Sequence, residues 1–325
     1  MTEYTPTQQY RDVEDFYQSL HTNSKSEEQP SIGFSVGLFF TKIWNKTPLK
    51  KLKTVTKILY VLRSSIIDNY DENDVRIKKY KKYAENVSKN EYKYKKIYHN
   101  LCDEKSKRTM MCVLRFRVDG NYETLHAESD YIYKQYFDKN IMKFSENEVF
   151  VDCGGFIGDT VSLFIDNVQS FKKIHVYEPD PINYRKATKL LSKNEKDNID
   201  KIQFHNTGVG IENISSKMSL SGLGSKISDN GDYDVQIVSL DDDIHEPITF
   251  IKMDIEGFEL DALKGARNHI LSNKPKLAIC VYHKPDDLWE IPEYILSLNP
   301  EYKLYLRQYM FNDGENAFDT ILYAI

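Results

Sequence analysis

The sequence predicts an α/β protein. Its C-terminal half reads as a mainly parallel sheet covered by helices on both faces, and a mostly helical region precedes it. Three observations carry this. From Glu148 onward, short β-rich runs alternate with helical stretches, the rhythm of strand–helix–strand units. The first of those runs leads into a glycine-rich turn, V-F-V-D-C-G-G-F-I-G-D-T over 149–160, where a strand passes into a helix. Residues 72–110 contain no Gly or Pro and are rich in Lys and Tyr, so helix is expected there.

Core strands are expected over 149–153, 173–177, 202–206, 249–253, 276–281, 302–307 and 320–324, with helices over 159–166, 181–192, 259–271 and 287–298. A further strand near 235–238 reads as an insertion before the fourth core strand. Upstream, residues 1–30 lack periodicity and read as a flexible tail with one short helix near 13–20. Leu49, Leu52, Val55, Ile58, Leu59, Leu62 and Ile66 recur at helical spacing among lysines, which predicts a basic amphipathic helix over 48–68. From Met111 the run M-C-V-L-R-F-R-V alternates, and Asp119-Gly120 follows as a turn signal, so a strand or hairpin is expected there, then another helix over 129–142. The chain thus divides into a tail (1–30), a mostly helical accessory region (31–145) and a cofactor-binding domain (146–325).

Charge is unevenly spread. Residues 42–108 hold 19 Lys and Arg against 8 Asp and Glu, while the whole chain carries a net −5. Such a basic segment could face an anionic membrane or simply be the solvated faces of helices. Tyr80, Tyr83, Tyr92 and Tyr94 lie among its lysines, but the overall acidity and the lack of a recognisable nucleic-acid module set nucleic-acid binding aside. Cys102, Cys112, Cys153 and Cys280 form no C-x-x-C pair and fit no zinc or disulfide framework, so reduced thiols and a cytoplasmic location, peripheral at most to the inner membrane face, are expected. The N-terminus lacks a signal-peptide pattern, and the apolar run over 32–44 is too short to span a bilayer.

Asp152, Gly154 and Gly158 form D-x-G-x-x-x-G. This is not the G-x-G-x-x-G spacing that seats a dinucleotide pyrophosphate on a helix N-terminus. It suits S-adenosylmethionine, which has no phosphate but carries a carboxylate and an ammonium. The second strand ends in H-V-Y-E-P-D, placing Glu178 where an acid can accept ribose hydroxyls, while Asp180 is better placed to cap the next helix. The third strand ends near Asn206 and Thr207, which could line the adenine. On the fourth, F-I-K-M-D-I-E-G-F-E, residues Lys252, Asp254 and Glu256 alternate and so share a side while the strand persists; an ion pair of Lys252 with a carboxylate is the alternative to a functional triplet. The fifth strand brings His283 to the same rim.

These runs, with D-C-G-G-F-I-G-D-T (152–160), Y-E-P-D (177–180), I-K-M-D-I-E-G-F-E (251–259), L-K-G-A (263–266), V-Y-H-K-P-D-D-L-W-E-I-P (281–292) and D-T-I-L-Y-A (319–324), resemble the FkbM-type methyltransferases over about the last 180 residues. The resemblance implies a class I methyltransferase (Rossmann-like) fold, a seven-stranded sheet with its last strand antiparallel. It implies S-adenosylmethionine as donor, S-adenosylhomocysteine as product, and methylation of a hydroxyl, often on a surface glycan or a secondary metabolite. By motif, Asp152, Gly154 and Gly158 would line the methionine part, Glu178 the ribose, and Asp254 the methyl group.

Removing the proton of an alcohol calls for a base, and His283 is the candidate, with Asp254 or Glu256 orienting it or taking the proton instead. His283 could equally be an ordinary hydrogen-bonding residue at a strand end. Asp254, Glu256 and His283 could also bind a divalent metal, although they form no specific metal signature and a metal-free mechanism is preferred. Transfer to an amine or a protein, and a non-catalytic cofactor-binding role, are the alternatives. A homo-oligomer built on the N-terminal helices is a further expectation.

Overall fold

Good helix formers (Leu, Met, Arg, Lys, Glu) are frequent in residues 104–119, and the helix expected up to 110 continues through 111–118, where alternation predicts a strand. Cys112 to Arg117 are all buried, so a segment enclosed on every side shows no 3.6-residue stripe and can mimic strand alternation. The computed structural model describes residues 12–23, 75–119, 122–168, 170–219, 226–227, 231, 233–310 and 319–325. The tail apart from 12–23, the apolar run over 32–44 and the basic helix expected over 48–68 lie outside the described residues. By its contacts the chain forms two units, 1–132 with 306–318, and 133–305 with 319–325.

The first unit holds α1 (Val13–Asn23), α2 (Val75–Lys89), α3 (Glu91–Asn100), α4 (Glu104–Asp119), α5 (Tyr122–Glu128) and the two-residue β1 (Asp130–Tyr131). The tyrosines among its lysines divide by burial. Tyr83 and Tyr94 are buried, with the Arg117 guanidinium 4.9 Å from the Tyr83 ring centre and donating to Tyr94 Oη at 3.2 Å, whereas Tyr92 is 79% exposed. Tyr83 and Tyr94 are packing tyrosines. Asp103 anchors the start of α4 by accepting from Ser106 N at 2.7 Å and pairing with Arg307 at 2.7 Å. The helix expected over 129–142 is absent: Ile132–Lys134 make one 3-10 turn. Tyr136 has φ +67°, which no α-helix accommodates.

The second unit contains β2 (Val149–Cys153), α6 (Asp159–Asn167), β3 (Lys173–Tyr177), α7 (Pro181–Asn194), β4 (Ile202–His205), β5 (Gly208–Val209), β6 (Ile214–Ser219), β7 (Lys226–Ile227), β8 (Tyr233–Val238), α8 (Leu240–Asp243), β9 (Phe250–Met253), α9 (Glu259–Lys264), α10 (Arg267–Asn273), β10 (Lys276–Cys280), α11 (Asp287–Leu298) and β12 (Asp319–Ala324), and β11 (Leu304–Met310) begins in it. Within this unit the sheet order is β12-β10-β9-β2-β3-β4, and in the first unit β1 pairs in parallel with Tyr309 and Met310 of β11. Neighbours from β10 to β4 are parallel, and β12 runs antiparallel to β10. This is the expected class I methyltransferase fold.

The central strands are buried on both faces and read as apolar runs broken only by Asp152 and Lys252, which pair with each other. Phe150 and Phe250 face each other across β2 and β9 with ring centres 4.7 Å apart, and Phe164 of α6 packs on Phe150 at 4.5 Å. The insertion between β4 and β9 makes a second sheet, β5-β8-β6-β7, with Met218, Val235 and Ile237 as its core. The helix expected over 259–271 is two helices. At Gly265 the carbonyl accepts instead from Asp241 N and Ser239 Oγ, at 2.8 and 2.9 Å, which ends the first. Among the described residues no helix is long and apolar enough to cross a membrane.

Candidate active site

The site is built at the carboxyl ends of β2, β3, β4 and β9, where open α/β sheets form their crevice. A cleft with about 550 Å³ of open space lies there, bordered by Gly154, Glu178, Thr207, Met218, Asp254 and Glu256. Gly154 makes the floor. It takes φ +85°, and a Cβ there would come within 2.0 Å of the Asp254 carbonyl oxygen. Its N–H and that of Gly155 both donate to Tyr177 O at 3.0 Å, which ties the turn after β2 to the end of β3. Gly155, assigned no role from the sequence, also leaves no space: a Cβ would lie 2.3 Å from Val176 Cγ1. Gly158 stands at the start of α6, against Leu191.

Glu178 lies just past β3 and is 7% exposed. Its two oxygens accept from Phe156 N and Asp180 N, each at 2.8 Å. Burial pushes its pKa up to about 7, with those two hydrogen bonds pulling the other way. The capping task falls to Asp180, which accepts from Ile182 N and Asn183 N. A carboxylate offers about four acceptor positions, so Glu178 retains capacity for hydroxyls of a ligand. Asn206 does not line the cleft; its amide donates to the Glu178 and Pro179 carbonyls at 2.8 and 3.1 Å and so holds the backbone around Glu178. Its neighbour Thr207 does line the cleft, and Thr207 Oγ1 is buried with no partner among the described residues. An orphaned hydroxyl beside a buried acid fits the hydroxyl- and nitrogen-rich edge of a nucleoside, the part of S-adenosylmethionine that needs such partners.

Asp152 lies beneath this surface, fully buried, with Lys252 Nζ 3.0 Å away. Burial raises its pKa to about 6 against the pull of Lys252. Lys252 Nζ also donates to Gly154 O at 2.9 Å. Asp152 therefore acts on the cleft through Lys252 and the glycine turn.

Asp254 follows β9, its N–H donating to Cys153 O at 3.0 Å. Its carboxylate accepts from Tyr136 Oη at 2.9 Å and Tyr282 Oη at 3.3 Å, and lies 3.4 Å from His283 Nε2. Burial acts to raise its pKa, but the charges of Lys252 and His283 and the Tyr136 hydrogen bond hold it below the usual value. His283 Nδ1 lies 2.8 Å from Oε1 of Glu259, a wholly buried carboxylate that also accepts from Ile255 N at 2.9 Å. Burial disfavours the imidazolium, but the Glu259 bond and the charges of Glu259, Asp254 and Glu256 raise the pKa of His283 to about 9. At neutral pH this ring carries both its protons, and a general base must be free to accept one.

Asp254 and His283 are thus brought together as expected, but the carboxylate that bonds the imidazole is Glu259. Strand alternation stops at Met253. Glu256 and Gly257 then turn through φ +57° and +99°, which takes Glu256 to the cleft wall and lets Glu259, in the first turn of α9, reach His283. Tyr136 is a second residue that sequence reading missed, because it lies in a turn that reads as helix.

The model of the methyltransferase FkbM domain matches residues 152–314, half of the chain. Among solved structures, methyltransferase FkbM from Methylobacillus flagellatus KT is similar with a TM-score of 0.71 and 27% identity, covering 88% of this chain and 76% of that one. An rRNA methylase from Streptococcus thermophilus is far less similar, with a TM-score of 0.36 and 17% identity over 55% of this chain and 86% of that one. A methyltransferase described as putative from Streptococcus mutans, in complex with S-adenosylhomocysteine, has a TM-score of 0.36 and 14% identity over 57% and 92%. No curated protein matches.

Proposed function

The chain belongs to the FkbM methyltransferase family, and from that premise we propose that it methylates a hydroxyl oxygen of a sugar, a surface glycan or a secondary metabolite. Its cofactor is S-adenosylmethionine, which supplies a sulfonium-activated methyl group and leaves as S-adenosylhomocysteine. Glu178 and Thr207 hold the nucleoside end, and the Gly154 turn allows close approach to the backbone.

One observation carries the hydroxyl reading: the cleft ends on Asp254, an ionised carboxylate held by two tyrosine hydroxyls beside an imidazolium. A hydroxyl donates to a carboxylate, so Asp254 would position the acceptor oxygen and take its proton as the new O–C bond forms. His283, held by Glu259, would keep Asp254 ionised and correctly turned. This shifts the proton-accepting role from His283 to Asp254.

Calorimetric titration with S-adenosylmethionine and S-adenosylhomocysteine, beside Glu178→Ala, tests the cofactor site, and a radiolabelled methyl donor with sugar and amine acceptors tests the reaction. Binding abolished in the variant, with label appearing on hydroxyl acceptors, is the expected result. No binding to folded wild type, or label on amines alone, would sink the reading.

A further inference from the structure

We propose that Asp254, Glu259 and His283 form a binding site for one divalent cation of the Mg²⁺ or Mn²⁺ class. The three side chains come from three segments: the end of β9, the first turn of α9 and the end of β10. Each can offer one ligand atom, and these atoms lie within 4.8 Å of one another. An ion with bonds of about 2.1 Å needs neighbouring ligands about 3 Å apart and opposite ones about 4 Å apart, so small side-chain rotations would close the set. Two carboxylate oxygens and an imidazole, which gives up one of its protons when it ligates, suit a hard or borderline ion.

A second observation comes from Glu259. Its carboxylate is 0% exposed, and its Oε2 finds no hydrogen-bond partner among the described residues. A buried anionic oxygen left without a donor is costly unless a cation meets it. Acidic groups outnumber cations around it: His283 is itself a member of the site, and Lys284 acts on Asp287. Glu256, Asp287 and Asp319 add their fields to the same neighbourhood. The fully buried cation beside it, Lys252, is paired with Asp152. The Asp254 side chain is 30% exposed toward the cleft, which provides an entry path and leaves open coordination positions. Resting on the hydroxyl reading above, the ion would replace the imidazolium charge beside Asp254, hold the acceptor oxygen and lower its pKa, the proton passing to the Asp254 oxygen that does not ligate.

Titration of the full chain with MnCl₂, followed by the electron paramagnetic resonance signal of free Mn²⁺, tests the site without any turnover. Wild type should bind one ion, displaced by excess Mg²⁺. Asp254→Asn and Glu259→Gln should each weaken binding by roughly tenfold or more. Glu178→Ala should bind Mn²⁺ as wild type does while losing S-adenosylhomocysteine, which separates failure of the ion site from failure of the cofactor site. If Glu259→Gln does not fold, as thermal denaturation would reveal, the Mn²⁺ affinity of Asp254→Asn, changed at a partly exposed position, decides alone. No ion bound by wild type, or binding unchanged in Asp254→Asn, overturns the proposal.

Discussion

Both carboxylate oxygens of Glu178 accept backbone N–H bonds, yet burial still lifts its pKa to about 7. Hydroxyl donors from a bound ribose favour the ionised form, so binding should lower that pKa and release a proton. Affinity for S-adenosylhomocysteine is therefore full above pH 7 and falls as pH drops through it, by up to about tenfold per unit. Calorimetry at pH 6.5 in buffers of different ionisation enthalpy should reveal the released proton. In Glu178→Gln binding should be weaker and nearly flat with pH; a wild-type affinity independent of pH between 5.5 and 8 would mean Glu178 does not meet the ligand. Glu178 was legible in the sequence because a strand-end acid before a proline-started helix has few other tasks once Asp180 caps that helix. Glu259 was not, because its place depends on the positive-φ turn at Glu256 and Gly257, and alternation cannot be carried past the end of a strand.

At the scale of elements, the site depends on how closely β2 and β9 approach. Gly154 and Gly158 both have positive φ, but they face different neighbours. A Cβ on Gly154 would meet the Asp254 backbone at 2.0 Å, whereas one on Gly158 meets the Leu191 side chain at 2.9 Å. Gly154→Ala should therefore lose on the order of 3 kcal/mol of stability, and Gly158→Ala less, since Leu191 can shift. Urea denaturation of the two variants measures the difference, and equal losses would contradict the tight β2–β9 junction. The same junction holds the Asp152–Lys252 pair. Lys252→Met leaves a buried carboxylate without its cation, for about 3 kcal/mol or more at pH 8. Asp152 should then stay protonated to higher pH, so the loss should shrink as pH falls toward 5, again read by urea denaturation. The central strands were legible because burial on both faces leaves long apolar runs, and α11 (287–298) kept its expected bounds. Residues 112–117 misled because a segment buried all round has no polar face, and 259–271 because a hydrogen bond from a distant segment to Gly265 sets the break.

For the whole molecule, the pH dependence of stability is the sum of groups that burial and pairing displace in different directions. Asp152, at about 6, and Glu178, Asp287 and Asp319, each at about 7, are raised acids. Their ionisation works against the fold as pH rises from the unfolded carboxylate range, and most of that effect is complete near neutrality. His175, lowered to about 4 by burial, acts the other way and is fully neutral by pH 7. Above neutrality His283 dominates these groups. Its folded pKa of about 9 exceeds the unfolded 6.5, so its contribution is whole below pH 6.5 and is lost as pH rises through 9. Between pH 7 and 9.5 the chain should lose about 2 kcal/mol. Urea denaturation in EDTA, which keeps divalent ions from the carboxylates, is the measurement. His283→Gln retains a donor for Glu259 but cannot titrate, so its stability should be flatter across that window. A wild type as flat as the variant would mean that the imidazole between Glu259 and Asp254 is neutral at pH 7, and the proton-accepting role would return from Asp254 to His283.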